Sequence, residues 1–175
     1  MKKILITGGD GRFAGELKKI KTNLQFKFLN KKQLNICSLK SIVEAIKKYK
    51  PKIILHLAGL SRPMDIHEKN IEKSINLNII GTSNLVTACS KYKIKIIYFS
   101  TSYIYPGEKG NYNENDALLP WNNYGWSKLG GECAVQMYKN SLILRANMTE
   151  KPFLHKKAYA NVKSNFIYHE DIAKI

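Results

Sequence analysis

Apolar residues follow two periodicities along the chain, which predict strands that alternate with helices. Runs of consecutive apolar residues are typical of buried strands in a parallel sheet, and apolar positions spaced three to four apart indicate one face of a helix. The predicted strands are 2–7, 25–29, 52–59, 95–100 and 142–145. The predicted helices are 13–21, 41–50, 71–92 and one that starts at Tyr124. This order indicates an α/β fold with a doubly wound parallel sheet of the Rossmann type.

The connection over 103–123 is the longest stretch without a predicted element. It is rich in glycine, asparagine and proline, and it begins where the fourth strand ends. Connections of this length in compact domains commonly serve binding. We therefore expect it to cover a ligand at the carboxyl edge of the sheet, where open α/β folds bind their ligands.

A glycine-rich turn over 8–15 joins the first strand to the first helix. Gly8 permits a tight turn, Gly11 permits a close approach of backbone to a pyrophosphate, and Ala14 lets the helix lie close to the sheet. An ordinary strand-to-helix connection is the alternative. The early position of the turn, at the head of a βαβ series, favours dinucleotide binding.

The end of the second strand indicates which dinucleotide binds. An acidic residue there binds the ribose 2′-hydroxyl of NAD(H), whereas a basic residue accommodates the 2′-phosphate of NADP(H). This chain has Asn30, Lys31 and Lys32, with Arg12 as a second candidate phosphate partner. NADP(H) is therefore favoured over NAD(H), although both lysines can also reflect the lysine-rich background of the chain.

Tyr124 and Lys128 lie four positions apart at the start of a predicted helix, so they share one helix face. A nearby ammonium stabilises tyrosinate, and the pair can then act as a general acid and base. The same spacing also occurs in solvated pairs on lysine-rich helices. Other residues must therefore decide between the two interpretations.

Histidine and cysteine positions add no metal site. His56 lies inside a predicted buried strand, where a hydrogen-bonded structural role is expected. Cys37, Cys89 and Cys133 are odd in number and widely spaced, so we expect reduced thiols. Neither a metal centre nor a disulfide is predicted.

Length and charge limit the class of protein. The 175 residues suit one compact fold, and no apolar run approaches the roughly 20 residues that span a bilayer. With Met1 directly before the first strand, a cytoplasmic protein without a membrane partner is expected. The net charge of +16 comes almost entirely from lysine, because Arg12, Arg62 and Arg145 are the only arginines. Specific nucleic-acid recognition, which favours arginine, is therefore not expected.

Several blocks, in order, resemble the extended short-chain dehydrogenase/reductases, particularly their dTDP-4-dehydrorhamnose reductase-like branch. The resemblance covers about 3–147, and the joint order of the blocks is more specific than any one motif. The blocks are 8–14, 33–36, 57–59, 78–82, 100–107 and 109–132. Three positions depart from the pattern: Ala14 replaces a glycine, Asn35 replaces an aspartate, and Ser102 stands where aspartate is common.

The resemblance implies roles for individual residues. Thr101 would bind the substrate carbonyl, Tyr124 would donate the proton, and Lys128 would bind the nicotinamide ribose and lower the pKa of the tyrosine. The implied cofactor contacts are Gly8, Gly11, Arg12, Phe13, Lys31, Asn35, Ile36, Leu57, Ala58, Gly59, Tyr124 and Lys128.

The resemblance also implies a division of the chain. Residues 1–147 would bind NAD(P), and 148–175 would form part of a substrate-binding region. Within the latter, 152–159 resembles a loop that reaches over the substrate, and 168–173 resembles the start of a helix. Members of the family are considerably longer, so we expect either a fragment or a shortened protein with an incomplete or differently built pocket.

The implied activity is NAD(P)H-dependent reduction of a nucleotide-linked 4-keto-6-deoxysugar, a nucleotide-sugar substrate. A nucleotide-sugar 4-epimerase would use the same three residues. A dehydratase is disfavoured, because Ser102 and Tyr103 replace its acid–base pair. A non-catalytic regulatory subunit, like that of methionine adenosyltransferase, is the alternative from another class. The resemblance further implies a homodimer formed through the long helix and the Tyr124 helix.

Overall fold

A five-stranded parallel sheet organises the fold, as predicted. The computed structural model describes residues 2–153 and 164–175. Within them the strands are β1 (Lys3–Thr7), β2 (Gln25–Leu29), β3 (Ile53–His56), β4 (Lys95–Ser100) and β5 (Ser141–Arg145). Their order is β2-β1-β3-β4-β5, and every neighbouring pair is parallel. The chain thus reverses its direction of winding beside β1, and ligand crevices form at such a switch point.

The helices are mostly near their predicted positions. They are α1 (Arg12–Leu17), α2 (Leu39–Tyr49), α3 (Ile66–Lys69), α4 (Ile71–Ser74), α5 (Gly81–Tyr92), α6 (Asn123–Gln136) and α7 (His169–Ile172). A π-helical segment, Ile75–Ile80, joins α4 to α5, and a 3₁₀ turn, Ser102–Ile104, follows β4. The predicted long helix is therefore continuous but changes its hydrogen-bond pattern in the middle.

The first helix is shorter than predicted. It was expected over 13–21 but ends at Leu17. The amides of Lys19 and Ile20 bond to carbonyls three residues back, at Glu16 and Leu17, so the last turn tightens instead of continuing. Lys18 also folds back, and its Nζ donates to the carbonyl of Gly9 at 2.7 Å.

The sheet is buried on both faces. In β1, Leu5 packs into one apolar cluster, whereas Ile4 and Ile6 pack into the other. Helices α2, α5 and α6 supply the first cluster, and Phe13 and Leu17 of α1 supply the second. Continuous apolar strands result from this arrangement, because alternate side chains enter opposite cores.

A second, smaller parallel sheet pairs β6 (Asn147–Thr149) with β7 (Phe166–Tyr168). The helix expected near 168–173 is present as α7. Most of the loop expected over 152–159 lies outside the described residues. Among residues 2–153 and 164–175, the structure contains no helix long and apolar enough to cross a membrane.

Candidate active site

The glycine turn has the geometry that the sequence predicted at Gly8. Its φ is +68°, a conformation that favours glycine. A Cβ atom at Gly8 would lie 2.8 Å from the amide nitrogen of Ala58, so the turn and the end of β3 are in direct contact. The Gly11 amide closes the turn onto the Gly8 carbonyl at 2.8 Å. Phe13 and Ala14 are buried directly after it.

Thr7 fastens the glycine turn to the 57–59 segment. Its Oγ1 accepts hydrogen bonds from the amides of Leu57, at 3.1 Å, and Ala58, at 3.0 Å. With those two amides occupying the oxygen, the hydroxyl proton is directed to Nδ1 of His56, 2.9 Å away. The ends of β1 and β3 therefore form one rigid unit beneath the predicted cofactor site.

His56 is structural, as expected. Its Nε2 lies 3.1 Å from Oγ1 of Thr82, whose own proton is donated to the carbonyl of Asn78. Both contacts require a neutral ring with the proton on Nε2. Burial, and secondarily the charge of Lys128, lowers the pKa of His56 to about 3, so the ring stays neutral.

The 35–36 segment packs against α5. Asn35 uses its side-chain oxygen to accept the amide of Cys37 at 3.1 Å. Ile36 is buried, and its carbonyl accepts a hydrogen bond from Nδ2 of Asn84 at 3.1 Å. This anchoring fixes the polar Asn35 at a defined position beyond the end of β2.

The basic residues predicted to bind a 2′-phosphate lie in different surroundings. Lys31 and Lys32 are exposed on a turn in which the Asn30 side chain accepts the amide of Lys32. Arg12 instead forms an ion pair with Glu150, with 2.6 Å between Nη1 and Oε1. Among these candidates, the two lysines are therefore without an ion pair to any residue that the structure describes, whereas the exposed Arg12 is paired.

Thr101 and Tyr124 come together at the carboxyl end of β4. Asn122 caps α6 by accepting the amide of Gly125 at 2.7 Å, which starts the helix so that Tyr124 lies in its first turn. Thr101 is buried, and its Oγ1 accepts the amide of Tyr103 at 3.3 Å and lies 3.5 Å from Oδ1 of Asn147. The Tyr103 ring packs edge-on against the Tyr124 ring, with 5.6 Å between the centroids, so the threonine and the tyrosine lie at the same end of the sheet.

Burial raises the pKa of Tyr124, and the Thr101 hydroxyl and the charge of Arg62 only partly oppose the rise. Lys128 is not among the causes of this shift, so the lowering that the resemblance assigned to Lys128 stays a prediction. The phenol therefore keeps its proton at neutral pH, which suits a proton donor.

The Lys128 side chain lies over an aromatic ring of β4. Its Nζ lies 4.1 Å from the centroid of the Tyr98 ring, and the Tyr98 hydroxyl donates to the Lys128 carbonyl at 3.1 Å. Burial lowers the pKa of Lys128 to about 7, while nearby Glu132 acts in the opposite direction. A cation–π contact thus partly replaces the water that the ammonium loses.

Replacing Lys128 should change how stability depends on pH. An unfolded lysine titrates near 10.5, so between about pH 7 and 10.5 the unfolded chain binds more protons than the folded one. Folded-state stability therefore rises across this window. We expect urea-unfolding midpoints of the wild type to rise more steeply from pH 7 to 9.5 than those of Lys128→Met. The exposed Lys139→Met is the matched control, and parallel curves for all three proteins would contradict the lowered pKa of Lys128.

Sequence reasoning missed a support for Tyr124. The four-residue helix α3 places the buried His67 ring 5.1 Å from the Tyr124 ring. Nδ1 of His67 lies 2.7 Å from Oγ of Ser74, and the Glu68 carboxylate accepts both the amide and the side-chain nitrogen of Asn123. These contacts hold the start of α6 in place. The short helix gives no periodic signal from which they could be predicted.

Asn78 is a second unpredicted support, although its segment was singled out. Its Oδ1 accepts the amide of Leu60 at 2.7 Å, and its Nδ2 donates to Leu60 O and to Oγ of Ser127, each at 2.8 Å. One buried amide therefore connects the loop after β3 with α6. It lies in the π-helical segment, and such segments are frequent at functional sites.

Known proteins resemble this chain in sequence and in fold. The family described as "RmlD substrate binding domain" matches residues 1–149. The spore coat polysaccharide biosynthesis protein SpsK of Bacillus subtilis is 30% identical over 172 residues, which are 95% of this chain and 57% of SpsK. Methionine adenosyltransferase 2 subunit beta of Danio rerio is 35% identical over 98 residues, 56% of this chain and 29% of that protein. The chain thus spans little more than half of one relative and less than a third of the other.

Solved structures agree in fold. A crystal structure of dTDP-4-dehydrorhamnose reductase from Bacillus anthracis in complex with NADP has a TM-score of 0.80 and 26% identity, covering 86% of this chain and 56% of that one. The same enzyme from Yersinia enterocolitica has a TM-score of 0.75 and 32% identity, covering 85% of this chain and 53% of that one. The Rossmann-type prediction is confirmed.

Proposed function

Because the chain belongs to the RmlD substrate-binding-domain family, we propose that it is an NAD(P)H-dependent reductase of a nucleotide-linked 4-keto-6-deoxysugar. The observation that carries this proposal is that Thr101 and Tyr124 both lie against Tyr103, at the sheet edge that also holds the glycine turn. A hydroxyl and a phenol so arranged can bind a carbonyl oxygen and protonate it.

The residues present fit a nicotinamide dinucleotide. Gly8 lies against Ala58 with no room for a side chain. Asp10 and Gly11 of the turn are exposed, so a pyrophosphate can approach them. When bound, the cofactor supplies a hydride to the carbonyl carbon. Thr101 orients the carbonyl oxygen, Tyr124 delivers the proton to it, and Lys128 binds the ribose of the cofactor.

The named relatives support the substrate class. The reductases of Bacillus anthracis and Yersinia enterocolitica bear the name of a nucleotide-linked keto-sugar. The test is a panel of nucleotide-linked 4-keto-sugars incubated with NADPH, with cofactor oxidation followed by absorbance and the sugar product identified. Oxidation that depends on the keto-sugar is expected. Cofactor binding without any turnover would instead favour a regulatory subunit, in line with the match to methionine adenosyltransferase 2 subunit beta.

We propose that NADPH binds more tightly than NADH, because exposed Lys31 and Lys32 follow β2 with no carboxylate beside them in the sequence. Each charge-assisted contact to the 2′-phosphate contributes about 1.5–3 kcal/mol. In fluorescence titrations, Lys31→Ala with Lys32→Ala should weaken NADPH binding about tenfold or more and leave NADH binding unchanged. Lys47→Ala with Lys48→Ala, on the last turn of α2, is the matched control. Equal affinity of the wild-type protein for NADPH and NADH would contradict the proposed preference for NADPH.

A further inference from the structure

Two arginines share one carboxylate oxygen at the edge of the candidate site. Nη1 of Arg12 lies 2.6 Å from Oε1 of Glu150, and Nη1 of Arg62 lies 3.7 Å from the same atom. The Glu150 side chain is 20% exposed, whereas the two arginines are 45% and 36% exposed. Water therefore reaches both guanidinium groups, while the carboxylate lies deeper between them.

The three side chains come from separate elements that meet at the ligand-binding edge. Arg12 begins α1 directly after the glycine turn, Arg62 lies in the loop after β3, and Glu150 follows β6. The charge of Arg62 also acts on Tyr124, whose pKa it lowers. The cluster thus has Arg12 directly after the glycine turn, and Arg62 near enough to the proposed proton donor for its charge to act there.

The charges of the cluster favour an anion stronger than a carboxylate. Arg12, Arg62 and Glu150 together carry one net positive charge. His169 lines a cleft of about 250 Å³ together with Arg12 and Glu150, and burial lowers its pKa, so it adds no charge at neutral pH. Glu16, Lys151 and Glu170 also line the cleft. Their charges are compensated, because Lys151 pairs with Glu170 at 3.0 Å and Glu16 pairs with Lys19 at 2.7 Å. A diphosphate carries more negative charge than Glu150 and offers several oxygens to two guanidinium forks.

We propose that Arg12 and Arg62 form a clamp for a diphosphate group, and that the Glu150 carboxylate occupies the position of that group until a nucleotide displaces it. The inference rests on the proposed function for the nature of the ligand, a nucleotide diphosphate. Glu150 then competes with the ligand and sets its affinity. The diphosphate belongs either to the cofactor or to the nucleotide-sugar.

Calorimetric titration of Glu150→Gln tests the clamp, because this change removes the charge and keeps the shape. ADP-ribose represents the cofactor, dTDP represents the substrate, and adenosine 2′-monophosphate is the ligand without a diphosphate. Glu150→Gln should bind ADP-ribose or dTDP about tenfold more tightly, and the one that gains identifies the source of the diphosphate. Adenosine 2′-monophosphate binding should be unchanged.

Arg62→Gln should have the opposite effect on diphosphate affinity from Glu150→Gln. It should weaken binding of the same diphosphate about tenfold, both alone and combined with Glu150→Gln. A cluster that only fastens β6 to α1 would give a lower melting temperature in Glu150→Gln with unchanged affinities, which would overturn the clamp. If wild-type protein binds NADPH but neither diphosphate responds to the variants, the clamp alone fails. Absence of NADPH binding by the wild type would contradict the proposed function itself.

Discussion

Tyr124→Phe should reduce turnover by about two to four orders of magnitude while NADPH binding changes little. The phenol is the proposed general acid, and proton transfer by a positioned acid contributes a factor of about 10²–10⁴. Its pKa is raised by burial, so the wild-type side chain holds the proton that the reaction needs. Phenylalanine keeps the ring that packs against His67 and Tyr103, so the fold should be preserved.

The comparison requires both NADPH oxidation with the keto-sugar and a separate binding titration. Tyr49→Phe is the matched control, because Tyr49 ends α2 at the opposite edge of the sheet. It should retain wild-type turnover. Unchanged turnover in Tyr124→Phe would eliminate Tyr124 as the proton donor.

Gly131→Ala should lower the free energy of unfolding by about 1–3 kcal/mol, the range for overpacking a dense core. A Cβ atom here would collide with the backbone carbonyl oxygen of Asn78 and would lie 2.9 Å from the Tyr98 hydroxyl. Backbone cannot rotate aside as a side chain can. Because Asn78 also holds the loop after β3, the variant should weaken cofactor binding as well.

Two other glycines, Gly130 in the same helix and Gly15 in α1, calibrate that loss in urea unfolding. Gly130→Ala meets only the flexible side chain of Ile79, so its effect should be smaller. Gly15→Ala in α1 meets nothing within 4 Å and should stabilise the helix by up to about 1 kcal/mol. If Gly131→Ala is no less stable than Gly130→Ala, the close contact of α6 with the π-helical segment is wrong.

The sequence predicted the sheet because burial on both faces leaves a local signal. Runs such as that in β3 are apolar at successive positions, and the glycine turn reports its positive φ through Gly8. The predicted end of α1 was wrong by four residues, because the tightened turn after Leu17 depends on contacts such as that of Lys18 with Gly9. The π-helical segment likewise has no periodic signature.

The sequence named candidate site residues but did not predict their electrostatic arrangement. Spacing placed Tyr124 and Lys128 on one helix face, and from that the tyrosine pKa was expected to fall. The pKa rises because the phenol is buried, while the Lys128 ammonium lies over the Tyr98 ring. Burial and side-chain direction are set by packing between elements far apart in sequence, which also explains why the pairing of Arg62 with Glu150 was not foreseen.

Transfer of deuterium from NADPH labelled at both C4 positions tests the central claim most directly. Incubation with a nucleotide-linked 4-keto-6-deoxysugar, followed by mass spectrometry and NMR of the product, locates the label. The proposed reductase gives one deuterium at C4 of the sugar for each NADPH oxidised. A bound keto-sugar that gains no deuterium while the labelled NADPH stays unoxidised would contradict it.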